Sequence, residues 1–99
     1  MLDKMKQLME MQRKMQEMKR ELENANFEIA SSDGLVKITM SGAQEVSQIS
    51  IQGDIQGIEK TILEKALKDV YNRAIKRSHD IAAAKMKDIT GFNLPGLIS

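Results

Sequence analysis

The sequence predicts an α+β domain in two layers: a three-stranded antiparallel meander flanked by long N- and C-terminal helices, in the order α-β-β-β-α. Three observations predict it. Val36, Ile38 and Met40 alternate with Lys37, Thr39 and Ser41, and Ile49 and Ile51 alternate with Gln48, Ser50 and Gln52, the two runs joined by a short Gly-containing connection. The stretch from Leu2 to about Glu23 has no Gly, Pro or β-branched residue. The stretch from Ile58 to about Ile89 has no Gly or Pro and carries a continuous apolar stripe.

Size and composition narrow the function classes. A chain of 99 residues is bounded to one domain spanning 1–99, marginally stable alone. Net charge is only +1, but it is unevenly spread: residues 1–23 carry +1, residues 24–57 carry −3 and residues 58–99 carry +3. With no Cys there is neither a disulfide framework nor thiolate chemistry, and a single His leaves no structural zinc set. No run of apolar residues is long enough to span a membrane. The N-terminus is charged from Asp3 onward and lacks a signal-peptide core, so the expected compartment is the cytoplasm. Aromatic residues are 3% and Trp is absent, which argues against modules that stack single-stranded bases on rings.

The first helix is expected over about residues 2–23, roughly 33 Å long. Leu8, Met11, Met15, Met18 and Leu22 follow a 3-4-3-4 spacing, a heptad seam widened by Met5 and Met9. Such a stripe ordinarily faces a core; its methionines also suit a ligand groove, whereas a metal site lacks supporting His or Cys. Opposite the seam, Lys6, Arg13 and Arg20 stand seven residues apart, each with an acid three residues before it: Asp3, Glu10 and Glu17. Two readings stay open, i,i+3 ion pairs on a solvated face or a row that binds phosphates, with Lys14 and Lys19 beside it.

The meander is expected over about residues 26–52, with Phe27-Glu28-Ile29 as its first strand and Ser32-Asp33-Gly34 as the first turn. Gly42 is expected to supply the positive φ of the second turn. In regular strands Leu35 and Val46 point away from the face of Val36 and Ile38, so both faces of the sheet have apolar residues to cover. Gly53 ends the third strand and Asp54 is the expected N-cap of a helix over about residues 58–89. That helix is roughly 48 Å long, against a radius of gyration of about 13 Å for a compact domain of this size. One end must project or pack on another subunit. Lys65, Lys68, Lys76 and Lys87 lie off its stripe, Arg73 and Arg77 near its edge, and His79 among polar residues as a surface histidine. Gly91 is expected to cap the helix, Leu94-Pro95-Gly96 to stop it, and residues 90–99 to form a tail.

No phosphate-binding Gly loop, no Cys/His pairing and no serine beside a base motif is present, so the expectation is a non-enzyme with no cofactor, no metal and no small-molecule substrate. The overlong helices and two-sided sheet predict a homodimer, two-fold symmetry being the commonest solution.

The run Gly34-Leu35-Val36-Lys37-Ile38-Thr39-Met40-Ser41-Gly42, followed by Glu45-Val46 and Ile49-Ser50-Ile51, resembles the central motif of the YbaB/EbfC family of bacterial nucleoid-associated DNA-binding proteins, close to G-L/M-V-x-V-x-x-N/S-G-x-x-E-V-x-x-I-x-I. Met11-Gln12-Arg13-Lys14-Met15-Gln16, Asn72-Arg73-Ala74 and Leu94-Pro95-Gly96 extend the resemblance over nearly the whole chain. Where the family usually has D-P-x-L-L, this chain has Gln52-Gly53-Asp54-Ile55-Gln56. The resemblance implies a dimer in the nucleoid that binds double-stranded DNA through projecting helical arms and alters its conformation. The candidate contacts are Lys6, Arg13, Lys14 and Arg20 in the first helix and Lys76, Arg77, Lys85 and Lys87 in the second. The alternative is a protein-interaction adaptor that uses the Met-rich first helix, distinguished by whether Met11, Met15 and Met18 stay exposed.

Overall fold

Strong helix formers from Leu2 onward build α1, Leu2–Asn24, in the computed structural model, which describes residues 2–90. Three strands follow, β1 (Asn26–Ala30), β2 (Val36–Ser41) and β3 (Val46–Ile51), in the spatial order β1-β2-β3 with both pairings antiparallel. A 3₁₀ turn, Ile55–Gly57, leads to α2, Lys60–Thr90. The layout is the expected helix, meander, helix. The expected cap at Gly91, the stop at Leu94-Pro95-Gly96 and the tail lie outside the described residues.

Alternation on the central strand fixes the core. Val36, Ile38 and Met40 are at most 3% exposed. α2 lies across β2 and β1, and it places Ala66, Val70 and Ala74, one per turn, on those residues. Two alanines in this row let the helix backbone sit close to the sheet, and Phe27, Ile29, Leu63 and Ile75 close the sides. The opposite face carries Lys37, Glu28 and Gln48 and is open; Lys37 and Glu28 pair across it at 3.8 Å.

Four local expectations are corrected. The β2–β3 register shifts between Thr39 and Met40, so that Thr39 pairs with Gln48 but Met40 with Val46, leaving Ser47 as an extra residue. One extra residue reverses every later side chain, and Val46 therefore shares the face of Met40 instead of pointing away from it. Leu35 precedes β2 and packs against the core cluster, also contrary to the regular-strand expectation. The apolar surplus is thus on one face, at its β3 edge: Ile49 and Ile51 face the helix side as expected, yet α2 leaves Ile49 55% exposed.

The second turn holds its positive φ at Gln44 (64°), not at Gly42. Gly42 is there because space is absent: a Cβ on it would stand 3.0 Å from Leu22 Cδ2, 3.1 Å from Ile81 Cγ2 and 3.3 Å from the Leu22 carbonyl oxygen. The fully buried Ser78 hydroxyl donates to the Gly42 carbonyl at 2.9 Å, so α1, α2 and the turn meet at one glycine. Lastly, Asp54 caps the 3₁₀ turn, accepting from the Gln56 N–H at 3.0 Å, and not the long helix. Ile58 is extended after it, which delays α2 to Lys60.

Beyond Gly42 the two helices leave the sheet as an antiparallel pair. Leu22 and Ile81 both stand against Gly42 there, and Glu21 reaches Lys85 at 3.9 Å. The molecule measures 67 × 23 × 16 Å with a radius of gyration of 18.1 Å, well above the ~13 Å of a compact chain this long. No residue of α1 is buried. Its stripe is covered only toward Met18 and Leu22, which are half-buried, so the expectation of a core-facing seam fails for the first turns.

Candidate nucleic-acid interface

Helical rise places Lys6, Arg13 and Arg20 about 10 Å apart along α1. Their surroundings differ. Arg13 is clasped by two acids one turn away on either side: its Nη2 meets Glu10 Oε1, its Nε donates to Glu10 Oε2 at 3.3 Å, and its Nη1 stands 3.5 Å from Glu17 Oε2. The hydrogen bond and charge of Arg13 hold the Glu10 carboxyl below its ordinary range, and the same bond from Glu10 raises Arg13. Arg13 thus follows the ion-pair reading. Lys6 and Arg20 do not: neither has an ion pair among the described residues, because Glu17 turns toward Arg13 and leaves Arg20 alone.

Lys14 is half-buried where the two helices diverge. It borders two grooves. One is apolar, with Met11, Met15, Met18, Met86 and Ile89 as its floor and Lys6, Gln7 and Glu10 on its rim. The other is polar and gathers Arg13, Lys14 and Lys85 with Glu17, Glu21 and Asp88, three cations against three acids. Lys85 is half-buried and engaged with Glu21, so it ties α2 to α1 more than it faces solvent. Lys76, Arg77 and Lys87 are exposed on α2, without an ion pair among the described residues. The eight expected residues therefore do not form one patch. Three share the balanced polar groove, and Arg20, Lys76, Arg77 and Lys87 border neither groove.

Sequence reasoning missed a polar latch between the first turn of the meander and α2. The Ser32 N–H and hydroxyl donate to Asp69 Oδ2 at 2.7 and 2.9 Å. Arg73 donates from Nε to Asp69 Oδ1 at 3.2 Å and from Nη2 to the Ser32 hydroxyl at 2.7 Å. The Ser32 backbone bond, then its hydroxyl, then Arg73 hold the Asp69 carboxyl below the usual range. Next to it Asp33 Oδ1 accepts from the Ser31 hydroxyl at 2.6 Å and the Leu35 N–H at 3.0 Å, and its carboxyl is lowered by those bonds. The i,i+4 spacing of Asp69 and Arg73 was the available signal. Arg73 is committed to this latch. His79 is half-buried, with no hydrogen bond to a described residue, rather than fully exposed.

Among the described residues no three His, Cys, Asp or Glu converge where a metal could be held. No helix among them is long and apolar enough to cross a membrane.

Residues 1–93 match the family model described as the YbaB/EbfC DNA-binding family. A nucleoid-associated protein of Clostridium acetobutylicum is 31% identical over 94 residues, which cover 93% of this chain and 84% of that one. In fold the chain is similar to the crystal structure of an uncharacterized protein from Helicobacter pylori, with a TM-score of 0.64 over 84% of each chain; at 14% identity that likeness is one of fold.

Proposed function

Because the chain belongs to the YbaB/EbfC DNA-binding family, we propose that it binds double-stranded DNA as a homodimer in the bacterial nucleoid and alters the duplex's conformation. The observation that carries this reading is the projecting helix pair, whose Lys6, Lys14, Arg20 and Lys87 have no acid partner among the described residues. Cations already bonded to a carboxylate have less to gain from a phosphate. Lys6, Lys14, Arg20, Lys76, Arg77 and Lys87 are therefore the primary contacts, and Arg13 and Lys85 secondary ones. Lys and Arg on a helical arm, with no element beside them shaped to read base edges, bind backbone and give little sequence preference.

The dimer is supported by what one chain leaves uncovered: Val46, Ile49 and Ile51 on β3 and Ile62, Leu67 and Tyr71 on α2 are between 36% and 55% exposed. Pairing two chains over this apolar surface would set two arms on one two-fold axis, able to hold a duplex at two points and bend it.

A salt titration of duplex binding tests the reading. Each phosphate neutralised releases counterion, so log affinity should fall linearly with log salt, with a slope of about −0.9 per phosphate. Changing Lys6, Lys14 and Arg20 together to Gln should weaken binding and flatten the slope by roughly 0.9 for each phosphate no longer neutralised. Arg13→Gln should do markedly less, and Lys37→Gln on the open sheet face nothing. Wild-type affinity and slope in the triple variant would remove α1 from the interface.

A second reading, the adaptor, is favoured by the exposure of Met11 (64%) and Met15 (60%) but not by Met18, which is half-buried.

A further inference from the structure

We propose that the apolar groove between α1 and the end of α2 is a docking site for an amphipathic helix of another protein, one whose polar flank carries Asp or Glu. The inference stands whether or not α1 also touches DNA. It rests on the groove's size, its spacing and its charge.

The groove is open along one side and offers about 740 Å³, within the ~300–1,000 Å³ of ligand-binding clefts, and its floor is methionine and isoleucine. Leu8, Met11 and Met15, the outer part of the seam, are 60–66% exposed. Among the described residues, the two helices that line this groove do not fill it.

Spacing decides the shape of the occupant. Leu8, Met11, Met15 and Met18 repeat at 3-4-3, and a row with that repeat presents holes that take the side chains of another helix. Met86 and Ile89 of α2 line the groove beside the row, and no other described residue of α2 does. A third helix laid along α1 would complete the bundle, anchored through its own i, i+3, i+4 and i+7 apolar residues. Methionine side chains adjust to different partner surfaces, as a groove that receives a foreign helix requires.

Charge decides which helix. Lys6 and Lys14 stand at the rim about 12 Å apart, and neither has an ion pair among the described residues. Glu10 lies between them, but its carboxylate is held by Arg13. On the far side of Lys14, Lys85 is engaged with Glu21. The charge that an occupant meets is therefore the two lysines. An acidic flank pairs with them; a basic flank is repelled.

The test uses the full chain and two synthetic helical peptides of about five turns. Both carry Leu at heptad a and d positions and Ala and Gln elsewhere; one has Glu and the other Lys at the flanks. Binding is read by fluorescence anisotropy, and helix gain by circular dichroism. The Glu peptide is expected to bind at least roughly tenfold more tightly than the Lys peptide and to gain helix on binding. Met15→Glu should weaken it by about tenfold or more, and Lys6→Glu with Lys14→Glu should invert the preference between the peptides. Both changes place helix-forming residues on α1, and unchanged helicity of the variant verifies its fold. Equal affinity for the two peptides, or wild-type affinity in Met15→Glu, overturns the proposal. So does peptide binding that arises only after Phe92, Leu94 and Leu97 are changed to Ser, which would make the chain's own C-terminal segment the occupant. Dissociation of the protein's own assembly by Met15→Glu would make it a second copy. Tighter binding to phosphatidylglycerol vesicles than to the Glu peptide would make it a lipid surface.

Discussion

Gly42 is the residue through which three elements meet, and its reason is steric. A methyl group there would stand 3.0–3.3 Å from Leu22 and Ile81 atoms, one of them the Leu22 carbonyl oxygen, which cannot step aside as a side chain can. Gly42→Ala should therefore cost about 1–3 kcal/mol. For a domain this small, each kcal/mol lowers Tm by roughly 4–8 °C in a thermal melt. An unchanged Tm would mean the helix pair is not seated on the turn as described. Asp69 makes a different residue-scale prediction. Its folded carboxyl is held below its unfolded value by Ser32 and Arg73. Its contribution is therefore complete above the unfolded carboxylate pKa of about 3.9 and lost as pH falls through the lower folded value. The Tm difference between wild type and Asp69→Ala should shrink as pH is lowered from about 6 toward 3. A gap that stays constant would separate the latch from the acid transition. The sequence marked Asp69 only by its i,i+4 spacing to Arg73, and did not mark the role of Gly42 at all. Glycine in a turn signals positive φ, but here Gln44 has it, and close packing of helices that are distant in sequence leaves no local mark.

At the scale of elements, the alternation of β2 was legible because one face is buried by α2 and the other is not. Ile38→Asp, on the buried face, should abolish folding, since an unpaired charge in an apolar core costs more than the whole margin of a small domain. Lys37→Asp, its neighbour on the open face, loses a 3.8 Å surface pair and should cost no more than ~1 kcal/mol. Comparable loss of Tm in both would show that the register is wrong. In α2 the apolar stripe at helical spacing made Val70 and Ala74 legible, but not Ala66, which lay outside it and is buried all the same. The β3 register was not: the extra Ser47 is polar in a strand of alternating polar residues, so nothing in composition marks it. The ion pairing of α1 was half legible. Arg13 and Arg20 each follow an acid by three residues, and Glu17 could serve either; the geometry gives it to Arg13. Hence the evenly spaced row of three cations resolves into one neutralised and two available, which the spacing alone could not distinguish.

The whole molecule poses the question of what holds its length. A chain 67 Å long, with no buried residue in its first helix, has a core made mainly from β2 and the first half of α2. Such a core is small, and a two-fold partner over the exposed β3 and α2 residues would enlarge it. The β3 register makes this testable, because it pairs Ile49 with Ile38 on the helix-bearing face and puts Gln48 on the open face one residue away. Ile49 is 55% exposed in the single chain, so a lysine there need not disturb the monomer's own core. At micromolar concentration the wild-type protein should sediment at twice the 11.1 kDa of one chain. Ile49→Lys should shift it to the single mass while far-ultraviolet circular dichroism stays that of a folded α+β chain. Gln48→Lys should leave the dimer intact. Duplex binding should follow the assembly. With two arms linked, the second engages at the effective concentration set by the first, an advantage on the order of 10²–10⁴ that a monomer forfeits. Ile49→Lys should therefore weaken DNA binding and roughly halve its salt slope, although it adds a positive charge that by itself would strengthen both. A dissociated variant with undiminished affinity would show that a single arm suffices. A variant that remains dimeric would move the two-fold contact away from the β3 edge.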